Sequence, residues 1–229
     1  MSRKFEVHEF GTLSINGEPK TMNESRYCKA DTVFNIGNTI EGAKVTWVYI
    51  PELGIYISSV PLLEDVAWSR LDVEGYVSGK VIRIYGQKYL CRLPRGGSAP
   101  NTINEWDRIL QIMDGFHGCF EKCCHPFWCQ EAVEGNPKYR VTRGSYTYGS
   151  LKVRSYEKED CGAGFRVVLE PIIKVNKQEV SIPEALTLLE IMATNLTGEA
   201  ASMSGEQAEY AFRKIQAVDA AIEALARKN

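Results

Sequence analysis

The sequence has no long apolar run. Stretches such as "WVYI" and "VPLL" are among its longest, far short of the ~20 residues that a membrane-spanning helix needs. The opening "MSRKFEVHEF" lacks the apolar core of a secretion signal. Neither sign of charge dominates: 27 Lys and Arg against 29 Asp and Glu leave a net charge of −2, whereas a domain that coats nucleic acid is strongly basic. Membrane and nucleic acid are therefore not expected partners, and the expected setting is a reducing cytoplasm. Histidine is scarce, with only His8, His117 and His125, so a catalytic triad has few candidate bases. GxGxxG, GxSxG and HExxH are absent, and "RGGS" at Arg95–Ser98 lacks the spacing of a phosphate-binding P-loop. Glu105 with Asp107, and Glu157 with Glu159 and Asp160, read as solvated helix and loop charges rather than paired catalytic carboxylates. The motif inventory demands no enzyme and no cofactor.

Cysteine is the one reactive residue in quantity. Seven cysteines, an odd number in a chain that is not a short secreted scaffold, argue against a disulfide framework. Cys119, Cys123, Cys124 and Cys129 crowd together in "HGCFEKCCHPFWC", beside His117 and His125. Zinc is the sharp reading of that cluster. A structural zinc site of the legible kind pairs two CxxC-like knuckles, and no second knuckle follows. Free thiols are the favoured reading.

Hydropathy patterning divides the chain. Hydrophobic residues make up 44% of the 229, enough for a substantial core. The first part reads as β: Asn16-Gly17 is a hairpin signal, "KVTWVYIPELGIYISSV" places two apolar runs around Pro51–Gly54, and "GKVIRIYGQKYLCRLP" turns near Gly86-Gln87. Between these, Leu63, Val66, Ala67 and Leu71 have helical spacing, as do Ile103, Trp106, Ile109, Leu110 and Met113. From Asp114 to Leu169 the sequence reads as irregular and turn-rich, closing on the strand-like "GFRVVLEPIIKV".

The tail changes character. Ser181 before Ile182-Pro183 predicts a capped helix start, with Ala185, Leu189, Met192 and Leu196 on one face and a break around Gly198. Ser204 with Gln207 predicts a capping box. Beyond it Ala208, Ala211, Ile215, Val218, Ile222 and Leu225 form a seam for another helix. A hairpin of two such helices reads either as folded on itself or on the main domain, or as an oligomerisation tail. Because two helices leave apolar surface for a third partner, a homo-oligomer through this tail is expected. The resulting organisation is an N-terminal β segment over 1–60, which the main domain can absorb, a core over 61–175, and a helical hairpin over 176–229.

Five short elements recur in a fixed order: "RLP" at Arg92–Pro94, "NEWDRIL" at Asn104–Leu110, "WCQE" at Trp128–Glu131, "RVTRGS" at Arg140–Ser145 and "GFRVV" at Gly164–Val168. Together they resemble the formylglycine-generating/sulfatase-modifying family over about Val66 to Leu169. The resemblance implies an α+β, C-type-lectin-like fold, in which a small twisted sheet and two helices carry a large irregular loop region. The family's oxidases bind copper through two cysteines after the RGGS-type motif. Here Tyr148 and Val153 stand near those positions, so copper-dependent oxidation is not implied. The iron-dependent relatives use three histidines, which this chain's spread of three does not supply.

The wording of the motifs is closest to phage- and prophage-encoded members of the family. The implied function is a non-catalytic recognition protein that binds a protein or glycan through the loop face, in the host cytoplasm. Tyr146, Tyr148 and Tyr156 offer rigid amphipathic rings. Lys152, Arg154 and Arg143 offer charge, and Trp128 offers a stacking platform. Trp128 and Arg143 also read as packing and turn residues, and Arg166 as an internally paired arginine. Three other readings stand beside this one. They are a phage protein that sequesters a small anionic, nucleotide-like signalling molecule, a structural virion component, and a divergent metalloenzyme built on the Cys119–Cys129 cluster.

Overall fold

The computed structural model describes residues 4–22, 24, 32–98, 104–113, 120, 125–144, 147, 149–157, 162–175, 178–200 and 206–227. Over these residues the protein is a mixed α+β chain, built mostly of antiparallel sheets, with four helices, the last two forming a C-terminal pair. The central sheet has seven strands. In spatial order they are β1 (Glu6–Phe10), β5 (Val45–Ile50), β6 (Ile55–Ser58), β12 (Val168–Val175), β8 (Gln87–Arg92) and β7 (Lys80–Ile84), with β13 (Gln178–Ser181) also on β12. Every pairing in it is antiparallel. Strands from the N-terminal stretch therefore share a sheet with the motif-bearing region.

Strands β5 and β6 are buried on both faces, and the period-2 alternation of a strand sends their side chains into two separate cores. Val45, Trp47, Tyr49 and Tyr56 point into one, with Leu62, Trp68, Leu71, Phe165 and Trp128. Val48, Ile50, Ile55 and Ile57 point into the other, with Trp106, Ile109, Phe127 and Val141. The first core is closed by a small sheet of β3 (Glu18–Lys20), β2 (Thr12–Ile15) and β4 (Phe34–Gly37), and by helix α1 (Trp68–Val73). The second is closed by helix α2 (Glu105–Met113) and by a three-stranded sheet of β11 (Leu151–Ser155), β10 (Asn136–Arg143) and β9 (Phe127–Val133).

Local chemistry explains the turns. Asn16 (φ 53°) and Gly17 (φ 84°) both take left-handed angles, as the two-residue hairpin between β2 and β3 requires. The β7–β8 turn falls at Tyr85 (φ 48°) and Gly86 (φ 83°), one residue before the expected Gly86-Gln87. Helix α1 begins at Trp68, after Leu63, Val66 and Ala67. Leu63 instead forms an extended bridge to Phe165, so the helical spacing of those side chains arises from an irregular segment lying on the core. The stretch expected to be irregular, from Asp114 onward, contains β9, β10 and β11.

Helix α3 (Ile182–Ala200) starts where Ser181 predicted, with the Ser181 hydroxyl accepting from the Glu184 N–H at 3.3 Å. It runs on through Gly198, so the expected break does not occur there. Its first turn docks on the β5–β6 connection. A Cβ at Gly54 (φ 63°) would lie 2.5 Å from Ile182 Cγ2, so only glycine fits that contact. Helix α4 (Glu206–Arg227) packs along α3. The expected capping Ser204 lies outside the described residues. Among the described residues, no helix is long and apolar enough to cross a membrane.

Candidate ligand-binding face

The five sequence motifs meet in one structural framework. Arg92, 1% exposed, donates to Glu170 and, through both terminal nitrogens, to Glu105 at the start of α2. Burial works against its charge, but the two carboxylates more than offset that, and its pKa is raised. The Glu131 carboxylate accepts from the Gly96 N–H at 2.9 Å, and the Gln130 amide donates to the Leu93 carbonyl at 3.1 Å. Asn104 caps α2, accepting from the Asp107 N–H at 3.0 Å. Trp68 and Trp128 cross-brace the region: the Trp68 indole donates to the Cys129 carbonyl at 2.9 Å, the Trp128 indole to Val66 at 2.6 Å. Arg166 donates to the Ser58 and Ser59 carbonyls at 2.6 and 3.0 Å, with the Trp106, Phe120 and Phe127 rings around its guanidinium. Arg166 is thus internally paired, as its sequence setting suggested.

Two of the expected ligand contacts belong to this framework. Trp128 is fully buried and presents no ring face to solvent. The Arg143 guanidinium is turned inward, donating to the Gly96 and Gly149 carbonyls and pairing with Asp107 at 3.1 Å. The stacking platform and the outward bidentate arginine are corrected accordingly: both side chains are committed to packing. Tyr146 and Tyr148 lie outside the described residues, as do Cys119, Cys123 and Cys124. Cys129 is fully buried against Gly96, and burial pushes its thiol pKa up, so it holds its proton. Among the described residues, no three His, Cys, Asp or Glu side chains are grouped to hold a metal.

Lys152, Arg154 and Tyr156 are half-buried on and just after β11. The sheet brings them to residues that the sequence did not single out. Arg154 is the direct cross-strand partner of Arg140. The Arg140 guanidinium sits over the Trp68 ring at 4.1 Å and within 5.2 Å of the Tyr156 ring, two aromatic faces that fix its plane. The Nε atoms of both arginines are shielded from solvent and hydrogen-bonded to nothing.

Beside this pair lies a pocket of about 220 Å³, with Glu64, Asp65, His125, Gly162 and Gly164 among its walls. Asp65 takes a left-handed φ of 50°, an angle that Asp tolerates at some cost and that recurs at functional sites. Gly164 makes the pocket's close wall possible, since a Cβ there would lie 2.4 Å from the Leu63 carbonyl oxygen. Arg154 links pair and pocket. Its Nη1 and Asp65 Oδ1 each lie 3.9 Å from where a Cβ on Gly162 would stand, yet the two side chains form no ion pair. In the sequence, the signal for this site was the basic alternation of "YRVTRG" and "LKVRSY". It becomes a site only once β10 and β11 pair.

Fold and site together define a mixed α+β protein with a basic, aromatic-backed strand pair beside a small polar pocket. No protein-family model matches the chain, and neither a curated protein nor a solved structure matches it.

Proposed function

We propose that the protein is a non-catalytic recognition protein of the phage or prophage kind, with a C-type-lectin-like fold of the sulfatase-modifying type. It binds a protein or glycan through the face made by β10, β11 and the Pro61–Asp65 connection. The observation that carries this reading is Arg154, a half-buried guanidinium at the rim of a pocket with an unpartnered Nε. Its cross-strand neighbour is a second cation, Arg140; like charges so placed repel, and an acidic group on a ligand would offset that repulsion. Lys152 and Tyr156 flank it and widen the face.

The test is a binding screen of the full chain against immobilised glycans and proteins, repeated with Arg154→Ala and Lys152→Ala. A ligand whose capture falls with both variants supports the reading. Ligands captured equally well by both place the recognition face elsewhere.

A second reading, a sequestered small anion such as a nucleotide, draws on the pocket itself, whose 220 Å³ suits a small molecule better than a protein epitope. Native mass spectrometry of the gently purified protein separates the two, because a sequestered nucleotide would travel with the chain and be released on denaturation.

A further inference from the structure

We infer that the ligand of this face is an acidic sugar, with a carboxylate held between Arg140 and Arg154 and ring hydroxyls turned into the pocket. The inference rests on the recognition reading above and names its ligand class.

Arg140 and Arg154 stand directly opposite each other on neighbouring strands, so their side chains share a face. Like charges placed that way repel. Each also has an Nε–H shielded from water with nothing to donate to. One oxyanion accepting from the outer nitrogens of the two guanidiniums would relieve the repulsion, in the fork geometry that suits a carboxylate. Arg140 is already held in plane by the Trp68 and Tyr156 rings, so little ordering remains to be done on binding.

The pocket imposes a second requirement of opposite sign. Its walls include Asp65, whose Oδ1 lies near the Gly162 wall, and His125, and a carboxylate accepts hydrogen bonds. The ligand must therefore offer donors on one side and an anion on the other, a few ångströms apart. An acidic peptide brings the anion but sets it among carboxylates without hydroxyl donors. A neutral sugar brings the donors and leaves the two opposed guanidiniums without a counter-charge. A uronic or sialic acid residue brings both within one ring, and about 220 Å³ is space for a single ring rather than a chain.

The experiment measures binding of the full chain to matched pairs: a glucuronic-acid-terminated oligosaccharide against its glucose-terminated counterpart, and sialyllactose against lactose. A pentaglutamate peptide and adenosine monophosphate complete the set. A charge-assisted contact at an unpaired arginine makes the acidic member bind roughly tenfold or more tightly. Arg154→Gln is expected to erase that preference while leaving the melting temperature unchanged, and Arg154→Lys to restore part of it.

Acidic and neutral sugars bound with equal affinity would overturn the carboxylate assignment and leave glycan recognition standing. Binding of the peptide or the nucleotide in place of any sugar would overturn the acidic-sugar assignment in favour of that ligand. Failure of all six probes to bind would overturn the assignment outright, whereas capture of some other ligand at Arg154 in the wider screen would still uphold recognition.

Discussion

Arg143 and Gly96 are fitted to each other. The guanidinium Nε and Nη2 both donate to the Gly96 carbonyl, at 2.9 and 2.6 Å. A Cβ on Gly96 would lie 2.4 Å from Cys129 Sγ and 3.3 Å from Arg143 Cγ. The arginine reads this loop by its fork, which a lysine ammonium cannot reproduce. Arg143→Lys should therefore lower stability by about 2–4 kcal/mol, since it strands the buried Gly96 carbonyl and Asp107. Urea unfolding of the two proteins measures this, and an unchanged midpoint would show that the loop does not depend on the fork.

The Arg92 network makes a sharper claim. Its guanidinium is almost wholly enclosed between Glu105 and Glu170, the latter 4% exposed. Removing the arginine would leave two enclosed carboxylates without their cation, at a cost of about 3–5 kcal/mol. Arg92→Met should approach that loss, whereas Arg108→Gln, which breaks the exposed pair with Glu52, should cost under about 1 kcal/mol. Comparing the two in one denaturation series separates framework from surface; equal losses would contradict the burial argument.

Alkaline pH probes the buried thiols. Burial raises the pKa of Cys91 and Cys129 above the ordinary 9.0. Above that pH the unfolded chain has released protons that the folded chain still holds. Their contribution is thus complete below pH 9.0 and is lost as pH rises, by about 1.4 kcal/mol per pH unit for each thiol. Tyr56, Tyr76 and Tyr89, also raised by burial from 10.0, add to the loss higher up. Cys129→Ala should reduce the slope of stability between pH 9 and 10 by about 1 kcal/mol per unit, whatever its cavity costs at neutral pH. An unaltered slope would mean that this thiol ionises in the folded state.

Tyr76 offers a test of opposite sign. Its ring is fully buried between Phe34 and Phe165, and its hydroxyl has no hydrogen-bond partner. Tyr76→Phe keeps the ring and removes an unsatisfied polar atom, so stability should hold or rise by up to about 1 kcal/mol. A clear loss on thermal melting would reveal a partner for the hydroxyl.

The legible parts of the chain were those where local chemistry and tertiary packing agree. Asn16-Gly17, the apolar spacing of Trp106, Ile109 and Met113, and the Ser181 cap each specify their element within a few residues. Strands β9 to β11 were not legible, because their patterns do not alternate cleanly. Phe127, Trp128 and Cys129 are buried in succession between two cores, and the β9–β10 register shifts twice. Within the candidate site, Lys152, Arg154 and Tyr156 were visible as a basic aromatic strand. Trp68, Asp65 and Arg140 were not, since what unites them is the closure of the Pro61–Trp68 segment onto β9, β10 and Phe165, contacts some 60 to 100 residues apart in sequence.

The tail carries the last prediction, which concerns the proposed homo-oligomer. Ile182, Ala185 and Leu186 are buried against the body, but further along α3 the side chains of Leu188, Ile191 and Met192 are about half exposed, at 53%, 52% and 51%. On α4 the expected seam residues Ile215, Val218, Ile222 and Leu225 are partly rather than fully buried beside α3. One chain thus covers its own seam incompletely, and helices of this length gain most of their stability from packing. A second copy presents the same apolar surface, so a two-fold pairing would bury both at once. Ile191→Glu should shift the protein to monomer in sedimentation velocity, and leave the Arg154 face intact, because the two surfaces share no residue. A wild-type protein that sediments as a monomer at every concentration would sink the pairing and leave the exposed stripe for a different partner.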